Sequence, residues 1–318
     1  EANIPIKDLT SKYEKIYNDN MLELGVLKPD IQPRATEHIK EMIVLIKELI
    51  NKKHAYVSDN HVLFDVTTYE NYGLLSGRNK EDQIAGSRVK VADYKKNAND
   101  FVLWKPSTSE QPGWESPWGI GRPGWHIECS AMAEKTLNLP FDIHGGGLDL
   151  TFPHHENEIA QSCAAHNFEN PKEYAKYWIH NGFVTMDGEK MSKSLGNIFL
   201  VNDLLEQYPG ETLRLSLLSS HYKQPLNWNT DIIEQAQKNL DRLYRALKEN
   251  INIDIDKQAK PSEEVMKALS DDMNSSLAIS EINSLADKLL KCKQEEKSFL
   301  KAQLIASGKI LGILQNCP

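Results

Sequence analysis

Lys190-Met191-Ser192-Lys193-Ser194-Leu195-Gly196-Asn197 places two lysines and two serines just after the turn Asp187-Gly188. Ammonium groups on such a loop can neutralise polyphosphate charge as it builds up in a transition state. A merely solvated charged loop is the competing reading. Upstream, His144-Gly145-Gly146-Gly147-Leu148-Asp149 follows a short strand signal, Phe141 to His144. Glycines there let a backbone approach a ligand closely, and the carboxylate behind them can bind ribose hydroxyls. A tight turn is the plainer alternative. The third group is Cys129, in Gly124-Trp125-His126-Ile127-Glu128-Cys129, with His154 and Glu158 in Pro153-His154-His155-Glu156-Asn157-Glu158. On a helix His154 and Glu158 stand four apart and share a face. Thiolate, imidazole and carboxylate are all zinc ligands, and zinc takes four. Cys163 is a fourth candidate, but five positions beyond Glu158 it points elsewhere. Against this stands a buried core thiol beside a polar helix start.

These groups need elements to hold them. Ile6, Leu9, Tyr13 and Ile16 recur at helical spacing, and Ile39, Met42, Ile43, Ile46, Leu49 and Ile50 do so more strongly, with Pro33 just ahead. His54 to Val57 and Val62 to Val66 read as two strands around Ser58-Asp59-Asn60-His61. Residues 67 to 123 are rich in Gly, Pro, Ser and Asn and read as an irregular insertion. From Trp125 strand and helix signals alternate, with a helix over 155 to 166 and a strand over Trp178 to Met186, which suggests an α/β layer with a parallel sheet. From Leu213 onward the pattern is almost entirely helical, with 249 to 262 as a loop between helices.

At 318 residues the chain suggests two or three domains. Hydrophobic residues at 40% and charged residues at 26% are ordinary for a globular protein. No apolar run approaches the roughly 18 residues that span a bilayer. The net charge of −8 argues mildly against nucleic-acid binding, although a local basic patch suffices for it. The four cysteines are scattered, so no disulfide framework is expected, and a reduced, cytoplasmic setting is.

Joined together, Lys-Met-Ser-Lys-Ser, Gly-Trp-His-Ile-Glu-Cys-Ser, His-Gly-Gly-Gly-x-Asp-Leu and Phe-Pro-His-His-Glu-Asn-Glu resemble cysteinyl-tRNA synthetase, of the class I aminoacyl-tRNA synthetases. Phe101 to Lys105 and Ser116 to Gly119 are similar to the same family. The resemblance runs along essentially the whole chain. It implies an α/β fold: a Rossmann-like parallel-sheet catalytic domain, its first half largely missing, with an insertion, followed by an all-helical bundle domain. The implied boundaries are 1–50 for the remainder of the first half, 51–123 for the connective insertion and 124–200 for the second half. Residues 201–240 would form a stem-contact region and 241–318 an incomplete anticodon-binding domain.

By that resemblance Cys129, His154 and Glu158 are three ligands of one Zn2+ at the floor of the amino-acid pocket, which binds the substrate's thiolate directly. Trp125 and His144 bind the substrate. Gly147 and Asp149 meet the adenosine ribose, and the Val184 backbone meets adenine. Lys190, Met191, Ser192, Lys193 and Ser194 meet ATP, with Lys190 and Lys193 as the catalytic pair. The implied partners are ATP with Mg2+, L-cysteine and tRNA(Cys), with no membrane and a monomeric state. Arg242, Arg245 and Lys248 are candidates for RNA phosphate, or else a solvated helix face. The family also carries another zinc-ligand Cys and a His-Ile-Gly-His-type signature near its amino terminus. This sequence contains neither, and Glu1 aligns after them. Pro318 likewise looks early for the anticodon module. A protein truly beginning at Glu1 is expected not to activate cysteine. The competing functions are a ligase of the same ancestry that joins cysteine to an amino sugar, a non-catalytic RNA-binding relative and a zinc hydrolase. The last lacks a His-Glu-x-x-His layout.

Overall fold

A computed structural model describes residues 6–78, 92–186, 188–191, 198–256 and 258–316. In chain order its helices are α1 (Ile6–Glu23), α2 (Ile39–Asn51), α3 (Trp125–Leu137), α4 (Glu156–His166), α5 (Val201–Leu205), α6 (Gly210–Leu218), α7 (Thr230–Glu249), α8 (Glu263–Ser270), α9 (Ser275–Lys291) and α10 (Gln294–Leu311). The strands are β1 (Ala55–Ser58), β2 (His61–Phe64), β3 (Phe101–Pro106), β4 (Gly121–Pro123), β5 (Phe141–Gly147), β6 (Ala175–Asn181), β7 (Val184–Met186), β8 (Glu189–Lys190) and β9 (Leu226–Trp228). The chain divides into two compact units, Asp30–His180 and Glu1–Pro29 with Asn181–Pro318.

In the Asp30–His180 unit, α2 buries Ile39, Met42, Leu45, Ile46 and Leu49, the three-and-four spacing of one helix face. The β1–β2 hairpin turns on Asp59 and Asn60, both at positive φ (46° and 58°), the conformation a two-residue hairpin loop requires. β3 and β4 extend it to a four-stranded antiparallel sheet, ordered β1-β2-β3-β4. These two strands lie inside the stretch expected to be irregular. Their pairing is non-local, and the buried Phe101, Leu103 and Trp104 drive it through the core rather than through a legible hairpin.

Gly124 then starts α3 hard against β3. A Cβ there would lie 1.9 Å from the Val102 carbonyl oxygen, so only glycine allows the approach. β5 pairs with β6 in a separate ribbon. α4 is buried at every position from Glu156 to Ala165. Its first two polar side chains are partnered. The Glu156 carboxylate accepts from the backbone N–H groups of Gly73 and Ser76, both at 2.9 Å, and Asn157 Oδ1 accepts from the Tyr72 hydroxyl.

In the other unit, β7 pairs in parallel with β9 (Val184 with Leu226, Met186 with Trp228) and antiparallel with β8. The expected single strand from Trp178 to Met186 is interrupted at Gly182. Its N–H donates to the Tyr222 carbonyl at 2.7 Å, and a Cβ there would meet the Gln224 carbonyl at 2.6 Å. β9 falls in the stretch read as helical; three residues carry too little periodicity to announce themselves. Leu24, Met186, Leu204, Leu213, Leu226, Trp228 and Ile233 pack around this sheet.

Helices α7 to α10 share a core that includes Leu240, Leu243, Leu247, Val265, Ile282, Leu285, Leu289 and Leu304. Asn229, Ser262 and Asn274 cap α7, α8 and α9 by accepting from the N–H groups of Ile232, Val265 and Leu277. Buried Lys301 closes the carboxyl end of α7. Its ammonium donates to the carbonyls of Asn250 (2.9 Å), Ile251 (3.1 Å) and Ile253 (2.8 Å). Arg242 pairs with Asp287 across α7 and α9, so one of the three candidate phosphate contacts is engaged within the fold.

Candidate functional site

The starts of α3 and α4 bring the three expected metal ligands together. Donor atoms of Cys129, His154 and Glu158 all lie within 4.8 Å of one another. The Pro153-His154-His155 segment runs into α4 without a helical break after Pro153, so His154 and Glu158 do share a face. His154 Nε2 stands 2.8 Å from Glu158 Oε1, and Glu158 has no solvent exposure. Cys163 is elsewhere. It is a buried core thiol.

Whether a metal fits can be judged from the protons. His154 Nδ1 faces His126 Nδ1 at 2.8 Å, so one proton lies between those two nitrogens. His154 Nε2 stands beside Glu158 Oε1, a buried oxygen with no hydrogen-bond donor. An unpartnered buried carboxylate oxygen beside an imidazole and a thiol forms an arrangement that a cation relieves. Donors about 2.0–2.1 Å from a tetrahedral zinc would sit roughly 3.4 Å apart, a separation this cluster reaches with small shifts. Burial, then Glu158 and Glu128, push the Cys129 thiol up to about 12, so without a cation it keeps its proton.

A shell missed by sequence reasoning surrounds these ligands. The Tyr174 hydroxyl donates to Glu158 Oε2 at 2.6 Å. Gln161 Nε2 donates to the His126 carbonyl at 2.6 Å and to Ser130 Oγ at 2.7 Å. His155 Nδ1 meets His180 Nε2 at 2.8 Å, and the missing Cβ of Gly146 makes room for the His155 ring, 2.7 Å away at Cε1. Burial and then His154 hold the His126 imidazole down at about 4. Burial, followed by the neighbouring imidazoles of His144, His180 and His154, holds His155 at about 3. Only the doubled histidine of Pro-His-His-Glu hinted at this shell.

Trp125 is exposed and lies over the His154 ring, with centroids 4.4 Å apart, as a wall residue would. His144 meets His155 edge-on and lies tilted against Trp178, with its Nε2 3.6 Å from Glu158 Oε2. His144, His155 and Glu158 also form a possible three-donor group. Its carboxylate oxygen, however, already accepts from Tyr174. Gly147 ends β5, and Asp149, exposed on the next turn, folds Oδ1 back to within 2.5 Å of where a Gly147 Cβ would stand.

The other nucleotide candidates belong to the second unit. Val184 lies in β7, and the Lys190 backbone lies in β8 opposite Thr185. Met191 packs on the Leu24–Trp228 cluster. The Gly188 N–H donates to Asn227 Oδ1 at 2.9 Å, which holds the hairpin turn ahead of the lysine loop. Ser192, Lys193 and Ser194 lie outside the described residues, as does Asp187 of the expected turn.

Known proteins share this fold. The family profile described as "tRNA synthetases class I (C) catalytic domain" matches residues 1–238, and that of the DALR domain matches 264–315. The fold is shared with Mycobacterium tuberculosis methionyl-tRNA synthetase solved with methionyl-adenylate. The TM-score is 0.63 at 14% identity, over 98% of this chain and 78% of that one. The architecture is that of a class I synthetase, a Rossmann-like catalytic fold followed by a helical module. Curated relatives named cysteine–tRNA ligase include that of Parvibaculum lavamentivorans, 53% identical over all of this chain and 68% of the relative. That of Maricaulis maris is 51% identical with the same coverage. This chain belongs to the cysteine–tRNA ligase family of class I synthetases.

Proposed function

We propose that the protein activates L-cysteine with Mg2+-ATP to cysteinyl-adenylate and pyrophosphate, then transfers the cysteinyl group to a terminal ribose hydroxyl of tRNA(Cys). The observation that carries this reading is the buried meeting of Cys129, His154 and Glu158, with one carboxylate oxygen left without a donor. Cysteine and serine differ by one atom, and an ordinary pocket separates such near-isosteres by only about a hundredfold. Cys129, His154 and Glu158 would hold one Zn2+, which when bound prefers a soft thiolate to a hydroxyl.

The chain's own residues do the rest. Trp125 and His144 wall the amino-acid side chain. Gly147 and Asp149 hold the adenosine ribose, and the Val184 backbone meets adenine. Lys190 and Lys193, within the loop that includes Met191, Ser192 and Ser194, neutralise charge on the polyphosphate. Positioning and charge stabilisation carry most of such a reaction, with little call for a side-chain acid or base. Residues 1–50 and 124–200 form the nucleotide fold in this reading, and 51–123, which hold β1 to β4, form the insertion. Residues 201–240 contact the acceptor stem, and the helices of 241–318 read the unpaired anticodon bases. We assign the protein to the cytoplasm as a monomer; no described helix is long and apolar enough to cross a membrane.

The test is cysteine-dependent ATP–pyrophosphate exchange by the zinc-loaded protein, with serine as substrate control and Cys129→Ser beside it. Exchange with cysteine, none with serine and loss in the variant support the assignment. Exchange that is equal with serine, or untouched by Cys129→Ser, overturns the role given to the cluster.

A further inference from the structure

The Glu158 carboxylate has two oxygens in different surroundings. Oε1 faces His154 Nε2 and has no donor. Oε2 accepts from the Tyr174 hydroxyl at 2.6 Å, while His144 Nε2, at 3.6 Å, is too far to share that bond. Tyr174 itself has no freedom to follow a moving carboxylate. Its side chain is completely buried, with its ring edge-on to Phe141 at 5.0 Å. Its carbonyl accepts from the Phe141 N–H at 3.2 Å, and its own N–H donates to Pro171 at 3.1 Å. The preceding turn, Pro171–Glu173, is closed by a reciprocal cap between Asn170 and Glu173. The phenol is thus delivered from a strand and a locked turn that supply no metal-ligand candidate of their own.

From this geometry we infer that Tyr174 is a positioning residue for the metal site, holding Glu158 by Oε2 so that Oε1 alone is presented to Cys129 and His154. The inference rests on the metal reading of that cluster. A carboxylate released from Oε2 could turn either or both oxygens towards the cluster. The orientation that leaves room for a substrate thiolate would then cease to be the favoured one. Hydrogen-bond partners of metal ligands typically change metal affinity by about 10–100-fold when removed.

Tyr174→Phe keeps the ring and deletes only the donor. The metal-free wild type and variant are titrated with Zn2+ against a chelating indicator, and with Co2+ followed by its visible spectrum. KM is then measured separately for cysteine and for ATP in pyrophosphate exchange. The expected result is a Zn2+ affinity at least about tenfold weaker, altered cobalt bands, and a raised KM for cysteine with KM for ATP unchanged. The metal-free variant should melt close to wild type. A purely structural role would lower the melting temperature and leave affinity and spectrum alone, which overturns the proposal. Wild-type affinity and spectrum in the variant also overturn it. If the wild type takes up no metal, the reading of the cluster itself falls, an outcome seen before the variant is examined.

Discussion

Replacing Glu158 by Gln should make the metal-free protein more stable while removing its metal site. Glu158 is fully buried, and a buried carboxylate costs several kcal/mol in desolvation. The Tyr174 O–H returns about 1.5–3 kcal/mol of that. Oε1 gets nothing back, because it has no hydrogen-bond partner. A glutamine keeps an acceptor for Tyr174 and replaces the unpartnered charged oxygen by part of a neutral amide. The exchange should gain about 1–3 kcal/mol, or roughly 3–10 °C in melting temperature for a unit of this size. With zinc the order reverses. Wild type gains RT ln(1 + [Zn2+]/Kd), and the variant, short of one anionic ligand, gains far less. Calorimetry of both proteins in chelator and in excess zinc reads all four states. A Glu158→Gln protein that melts below wild type in chelator would refute the reasoning, since Oε1 would then have had a partner all along.

Other outcomes follow from the same coordinates. The Cys129 thiol, raised to about 12, is protonated at neutral pH and must release its proton to bind a cation. Metal affinity should therefore rise about tenfold per pH unit between pH 6 and 8, and calorimetry in buffers of different ionisation enthalpy should count that proton. Lys301→Met removes the ammonium that bridges the carbonyls of Asn250, Ile251 and Ile253 at the α7 end. It should cost about 3 kcal/mol in urea unfolding, with zinc affinity unchanged. Gly124→Ala drives a Cβ into the Val102 carbonyl and must displace the start of α3, which carries Cys129. A loss of about 2–3 kcal/mol with weakened cobalt binding is expected, and a neutral result would mean that β3 yields there.

The helices of the bundle and the β1–β2 hairpin were legible because each is specified locally. Leu240, Leu243 and Leu247 mark one helical face, and Asp59-Asn60 marks a turn. β3, β4 and β9 were not, because their partners are distant in sequence and their own runs are short. The same division holds at the site. Cys129, His154 and Glu158 could be named from donor chemistry and motif, and they meet. Tyr174, His126 and His180 could not, because a hydrogen-bonding side chain has no signature until the fold chooses its partner. Tyr174 sits 16 positions from Glu158, and His126 sits 28 positions from His154.

Helix α4 has almost no surface, and its consecutive residues answer to different masters. Glu156 and Asn157 grip the Tyr72–Ser76 turn, while His154 and Glu158 belong to the candidate metal cluster. A designer wishing to retune the metal could exchange the second pair only while leaving the first untouched. The helix tolerates neither rotation nor a one-residue slip. Natural drift faces the same constraint, so this segment should read in a mutational scan as an unbroken block of intolerance. It would be bounded by Asn167, where the backbone turns left-handed and the chain regains its freedom.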